Sequence, residues 1–310
     1  MEQASPSRTA LRVALRRAAH QLYDARPLVL DDPIAVPILG EYADELHRTP
    51  GRRSLFKPRP YSIGLRAFVV ARSRYAEDLL AAAVGRGVTQ YVLLGAGLDT
   101  FAHRNPFGSL RVFEVDHPAT QEWKRELQRG GGLSEPESLA YVPVDFERQS
   151  LADRLRATGF DSTLPSLFAW LGVVSYLTLE AFRATVGFIA AQPMGSGVVF
   201  DYGQPRAALS AREQLAFDSL ASRVRLAGEP FELFFTPAEV AAELAGFRDI
   251  EDLGSAEINT RYFEGRSDRL RVLGSGGRIL SARIRNTNVN RADRLAHALP
   301  CGGSPHLICL

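Results

Sequence analysis

QYVLLGAGLDT, residues 90–100, decides the fold. Tyr91 to Leu94 are apolar at every position, as in a strand covered on both faces. The run ends in Gly95-Ala96-Gly97, a turn whose glycines allow close backbone approach to a ligand. Outward from it, LRVFEVD (110–116) is a second strand ending in acid, and YVPVDF (141–146) is a third. SLFAWLGVVSYL (166–177) begins as a fourth, and SGVVFDYG (196–203) is a fifth. FRDIEDLG (247–254) and RILSARI (278–284) are late strands. Helical stretches at 118–129, 150–158 and 179–191 separate the first five. Strands alternating with such helices make βαβ units. The expected fold is α/β, a Rossmann-like doubly wound and mostly parallel seven-stranded sheet.

The flanks extend this core. Leu11, Leu15, Ala18, Ala19 and Leu22 recur at helical spacing in a basic helix over 9–24. Its small, Ala-rich apolar face suits packing on its own domain better than a membrane. A second helix, about 63–83, carries Arg66, Arg72 and Arg74. DDP (31–33) and GRRSLFKPRP (51–60) are turn and loop signals. A polar helical insert over about 206–226 precedes a helix capped by Thr236 with Pro237 at its first position. At about 150 residues per domain, 310 residues suggest two domains. The motifs instead describe one domain over 1–284: a helical cap (9–84), a cofactor-binding core (90–203) and a lid-like insert (204–246). Residues 285–310 are expected to be a poorly ordered tail.

Lys and Arg total 37 against 35 acids, for a net charge of +2. That balance lacks the basic excess of a nucleic-acid binder. The N-terminus lacks an uninterrupted apolar region of the signal-peptide kind, and no run reaches the ~18 residues of a membrane span. A cytoplasmic location without membrane association is expected. Cys301 and Cys309 stand in the tail, and the histidines show no metal-ligand spacing.

Ligands of a doubly wound sheet bind beyond the carboxyl ends of its strands. Those ends carry Asp99, Asp116, Asp145 and Asp201. The glycine turn is an incomplete dinucleotide fingerprint, because Thr100 stands where the third glycine would fall. Asp116, about 20 residues on, suits ribose hydroxyls. A missing third glycine with a ribose acid fits a nucleoside without phosphates, S-adenosylmethionine. Two alternatives are a nicotinamide-dependent Rossmann oxidoreductase and a non-catalytic cofactor-binding protein.

With these residues goes a resemblance. QYVLLGAGLDTFAHR…RVFEVDHPATQEWK is similar to the leucine carboxyl methyltransferase-like family of class I S-adenosylmethionine-dependent methyltransferases. LDDPIA (30–35), WLGVVSYLTLEAF (170–182), VVFDY (198–202) and RYFEGRSD (261–268) carry it over about residues 9–284. The resemblance implies that Arg72 binds the methionine carboxylate of the cofactor. Gly95 lies under its methionine part, Asp116 holds the ribose, and Asp145 and Phe146 meet the adenine; Gly97 of the same turn is also expected to bind the cofactor. Leu171 takes the place of a cofactor-touching glutamate found in many members, and Phe101 that of an arginine. The implied reaction is O-methylation, at a carboxyl or hydroxyl, of a small-molecule acceptor. A hydroxyl acceptor benefits from a base. The rim offers Tyr202 and His117 as catalytic candidates, then Tyr176 and Asp201. Phe231, Phe234 and Phe235 are read as core packing or an apolar acceptor wall.

Overall fold

The computed structural model describes residues 7–46, 63–145, 149–226 and 228–284. Its strands are β1 (Gln90–Leu94), β2 (Arg111–Asp116), β3 (Leu139–Pro143), β4 (Ser166–Trp170), β5 (Gly197–Gly203), β6 (Phe247–Leu253) and β7 (Gly277–Ile284). They form one sheet in the order β3-β2-β1-β4-β5-β7-β6. β1 to β5 pair in parallel, and β7 runs antiparallel between β5 and β6. The strand order turns back between β1 and β4, which opens a crevice at their carboxyl ends. The expected Rossmann-like, mostly parallel sheet is what forms.

The helices are α1 (Arg8–Tyr23), α2 (Ile63–Val84), α3 (Phe101–Arg104), α4 (Pro118–Gly130), α5 (Leu151–Ala157), α6 (Leu179–Ala190), α7 (Ala211–Leu226), α8 (Pro237–Glu243) and α9 (Ser255–Tyr262). Alternation along β1 sorts its side chains onto two cores. Tyr91 and Leu93 join the layer of α2 and α9, while Val92 and Leu94 join that of α5, α6 and α8. A third cluster seats α1 beside the glycine turn: Ala14, Leu15, Ala18 and Ala19 pack on Ile38, Leu39, Leu98 and Leu127. The apolar face of α1 is therefore spent inside the domain.

Local chemistry sets the helix ends. Ser7 caps α1 by accepting from the Ala10 N–H at 3.1 Å. Thr236 and Glu239 form a capping box on α8, with Pro237 at its start. The insert helix α7 begins at Ala211, later than its composition suggests, because Pro205 and a 3-10 turn at 206–208 come first. α7 buries only Val224, whereas α8 packs Val240, and its C-cap Leu244, into the sheet core. Among the described residues, no helix is long and apolar enough to cross a membrane.

Candidate cofactor and acceptor cleft

At the β1/β4 switch point the strand ends open into a cleft of about 820 Å³. Gly95 and Gly97 have φ of +68° and +52°, conformations that L side chains rarely adopt. The Gly95 N–H donates to the Val115 carbonyl at 2.8 Å, tying the turn to the end of β2. The Gly97 N–H donates to Asp116 Oδ2 at 2.6 Å, and the His117 N–H donates to Oδ1 at 2.7 Å. α1 roofs the turn so closely that a Cβ on Gly97 would stand 3.0 Å from Ala10 Cβ. Burial raises the pKa of Asp116, and the two backbone N–H groups resist that rise. Each of its oxygens keeps a lone pair for a hydroxyl donor.

Arg72 enters the cleft from α2. Its Nη1 donates to Asp201 Oδ2 at 2.9 Å, and the Gly172 N–H donates to Asp201 Oδ1 at 2.6 Å. One carboxylate at the end of β5 thus positions both the arginine and the turn after β4. Gly172, at φ +76°, lies directly under the guanidinium: a Cβ there would be 2.6 Å from Arg72 Nη2. Asp201 is a positioning group in this arrangement, not a free base.

Beneath the glycine turn lies a buried charge network that composition alone does not reveal. Arg17 of α1 reaches Asp99 Oδ2 at 3.3 Å and also donates to the Leu98 carbonyl. Asp32, from the DDP turn, accepts from the Thr100 hydroxyl at 2.6 Å and pairs with Arg104 Nε at 3.0 Å. Lys124 donates to the Asp99 carbonyl at 2.6 Å and pairs with Glu114. Burial pushes Asp99 up, but Arg17, Lys124, the Phe101 N–H and Arg104 outweigh it and hold its carboxyl below the usual range. Thr100, where a third glycine would fall, is thus fully buried as an anchor for the turn. An arginine inside the apolar stripe of α1, at position 17, is the sequence signal for this network.

The remaining predicted residues separate. His117 lines the cleft, but its Nδ1 accepts from the Ala119 N–H at 3.2 Å as the cap of α4. In the neutral ring that bond puts the proton on Nε2, which makes this edge a donor rather than a base. Tyr202 is outside the cleft lining: its hydroxyl donates to Asp252 at 2.7 Å and its ring packs near Phe200 and Phe235. Burial, then the bond to Asp252, raises its pKa. Tyr202 therefore serves the sheet core and not the cleft. Asp145 stands two residues past β3, its N–H donating to Gln149 at 3.0 Å, while Gln149, Ser150 and Leu151 line the cleft. Phe146 lies outside the described residues, as do Cys301, Cys309 and the tail from 285. Arg74 is exposed and pairs with Asp78 at 2.7 Å. Phe235 is core, whereas Phe231 and Phe234 cluster with Phe217 of α7, and Phe231 also meets Tyr176. Tyr176 itself lines the cleft. Among the described residues, no group of His, Cys, Asp and Glu could hold a metal ion.

The family model described as leucine carboxyl methyltransferase matches residues 10–190. The chain belongs to this family, and with it to the S-adenosylmethionine-dependent methyltransferases. It is 32% identical over 295 residues to the Bacillus subtilis protein named "Putative S-adenosyl-L-methionine-dependent methyltransferase YktD", covering 87% of this chain and 95% of that one. A DUF574 family protein from Streptomyces avermitilis has the same fold at TM-score 0.55 and 18% identity, covering 90% of this chain and 98% of that one. A solved structure from Thermobifida fusca, titled as a putative methyltransferase, aligns at TM-score 0.53 and 16% identity over 92% and 97% of the two chains.

This member of the leucine carboxyl methyltransferase family shows what replaces two family residues. Leu171 lines the cleft with an apolar side chain. Phe101 is buried and meets Tyr91 edge-to-face at 5.1 Å between ring centroids, so it serves the core. The motif carrying the nicotinamide alternative, Gly95 to Thr100, belongs to a methyltransferase turn.

Proposed function

We propose that the chain methylates an oxygen, carboxyl or hydroxyl, on a small-molecule acceptor held in this cleft. The observation that carries the reading is the convergence of Arg72, the Gly95–Gly97 turn and Asp116 on one cavity at the switch point. These residues fit S-adenosylmethionine. Asp116 has spare acceptor capacity for ribose hydroxyls. Arg72, pinned by Asp201, has further guanidinium N–H groups for a carboxylate, which an arginine engages through two parallel charge-assisted bonds. The turn supplies backbone that a side chain would obstruct. Asp145 fits the adenine end by its place after β3, and Leu171 offers an apolar contact. When bound, the cofactor supplies a methyl group already activated on a sulfonium.

The protein's own contribution is positioning and water exclusion, and good alignment of two reactants contributes roughly 7–11 kcal/mol. Trp170, stacked on Phe182 at 5.5 Å, gives the cleft a stiff apolar floor. Thr9, Ala10 and Val13 of α1, with its cap Ser7, close it from above. Small-ligand pockets run to about 300–1,000 Å³, so a cavity of about 820 Å³ suits a cofactor with a small acceptor. Tyr176 presents a hydroxyl whose pKa burial raises. It remains a phenol at neutral pH and acts as a hydrogen-bond partner.

The test is a methyl-transfer assay with labelled S-adenosylmethionine and a panel of carboxylic acids, phenols, amines and thiols. The reading expects label in base-labile esters or in ethers. Label confined to nitrogen or sulfur products would refute O-methylation. Calorimetry with S-adenosylhomocysteine tests the cofactor site separately: binding should be sub-millimolar and weakened in Arg72→Ala and Asp116→Ala.

A further inference from the structure

Among the described residues, the acids lining the cleft are Asp99, Asp116, Glu229 and Glu232. Asp99 faces Arg17, and Asp116 accepts from two backbone N–H groups. Glu232 is exposed at the rim, whereas Glu229 is half-buried. Oε2 of Glu229 is sealed from solvent with no hydrogen-bond partner among the described residues, which leaves Oε1 as the oxygen at the cleft. A shielded carboxylate is costly unless a ligand supplies the missing donor. Backbone contacts fix the segment that carries it. Val173 stands against Gly95, at the end assigned to the cofactor's methionine part, where a Cβ on the glycine would collide with Val173 Cγ2. The 3-10 turn at 174–176 follows directly and puts Tyr176 in the same wall. The Glu232 and Leu233 N–H groups both donate to the Ser175 carbonyl of that turn, at 2.8 and 3.3 Å. The Phe231 ring packs on Tyr176 at 5.2 Å between centroids. The Glu229 N–H donates to the Val224 carbonyl at 3.0 Å, tying the segment to the end of α7.

We infer that Glu229 is the general base of the reaction, and that the acceptor is a neutral alcohol or phenol, not a carboxylate. The inference rests on the methyl-transfer reading and narrows its substrate. The acceptor O–H donates to Glu229 Oε1, and its oxygen accepts from the Tyr176 hydroxyl. That oxygen gains the methyl carbon as the carbon–sulfur bond breaks with its electron pair left on sulfur, and its proton passes to Glu229. A carboxylate acceptor has no proton to lose and would meet the like charge of Glu229, so the same side chain selects against it.

Calorimetry on the full chain saturated with S-adenosylhomocysteine tests binding apart from turnover, with phenol, anisole and benzoate as matched probes. Phenol should bind about ten times more tightly than benzoate, and more tightly than anisole, which lacks the donor. Glu229→Gln should shrink the margin over benzoate to within about threefold and leave the affinity for S-adenosylhomocysteine within twofold. In the methyl-transfer assay with phenol, the same variant should lose about a hundredfold in kcat, the lower bound of what a general base contributes, with KM within about threefold. An acidic phenol already ionised in the assay buffer, 4-nitrophenol, should recover most of that loss, which a merely structural defect would not permit. Benzoate binding as tightly as phenol in the parent overturns the inference. So does an equal loss for phenol and 4-nitrophenol in the variant. Failure of S-adenosylhomocysteine to bind the parent chain counts against the methyl-transfer reading itself; the phenol-to-benzoate ratio, measured without it, still decides the role of Glu229.

Discussion

Gly172→Ala puts the link between fold and cofactor site to a quantitative test. Two costs are separable. The first is backbone: Gly172 has φ +76°, and an L residue in the left-handed region costs about 1–2 kcal/mol. The second is steric and local. The new Cβ would lie 2.6 Å from Arg72 Nη2 and 3.0 Å from Nη1, inside ordinary contact distance. The guanidinium has to retreat, and its 2.9 Å bond to Asp201 holds it against that retreat. A charge-assisted hydrogen bond contributes about 1.5–3 kcal/mol, so displacement should weaken S-adenosylhomocysteine roughly ten- to 150-fold. Urea denaturation reads the first cost and calorimetry the second. The decisive comparison is a cycle with Arg72→Ala. In that background Gly172→Ala should still cost the backbone term, yet change S-adenosylhomocysteine affinity less than twofold. An undiminished affinity loss in the double variant would refute the clamp, because the damage would then pass through something other than Arg72.

Asp116→Asn should weaken S-adenosylhomocysteine by tenfold or more by calorimetry, since the amide turns a donor toward one of the two backbone N–H groups that the carboxylate accepts. His117→Ala should cost about 1 kcal/mol in urea denaturation, the usual loss for a helix cap, with kcat within a few-fold; a collapse of kcat at unchanged stability would make the imidazole catalytic. Tyr202→Phe removes one bond to Asp252, whose other partner Arg278 remains at 2.9 Å, so stability should fall by about 1 kcal/mol and methyl transfer should not change. Glu114 carries a pH signature. Burial, against the opposing pull of Lys124, raises its pKa from 4.5 to about 7. The folded chain then holds a proton that the unfolded chain releases, so the stability due to Glu114 is full below about pH 4.5 and lost as pH rises through about 7. Denaturation midpoints from pH 4 to 8 should fall less steeply in Glu114→Gln than in the parent.

The sheet was legible because its strands obey a simple rule. A strand covered on both faces is apolar along its run, and β1 after Gln90, β4 after Ser166 and most of β5 carry that signature between glycine and turn residues. Residues 37–46 escaped because Gly40, at φ +51°, breaks the segment into turns too short for a helical period. α9 escaped because eight residues behind Gly254 bury only Ile258. At the site, Asp116 and Arg72 were legible as a strand-end acid and a helix arginine of family type, and the cleft contains both. Spacing cannot say which acids at the strand ends are already engaged. Asp201 and Asp99 look alike in sequence to Asp116, yet one holds Arg72 and the other faces Arg17. Tyr202 follows the β5 acid directly, but strand alternation turns it to the opposite face, against Phe200, Phe235 and Asp252.

That division of the acids bears on the chemistry. Asp99 and Asp201 neutralise arginines, and Asp116 has two backbone donors on its oxygens, so none of the three is an uncommitted base. A sulfonium donor needs little help from one, because its leaving group is already activated. The catalytic demand falls on alignment, and alignment depends on rigidity. The buried ion pairs supply it: Arg17 and Asp32 brace the glycine turn against α1 and the DDP segment, while Asp201 braces Arg72 against the turn after β4. Breaking a buried pair from one side strands the other charge at about 3–5 kcal/mol, so each brace is a strongly coupled unit and not a graded contact. The cleft's geometry is therefore set by the charges underneath it, more than by the side chains that face the ligand.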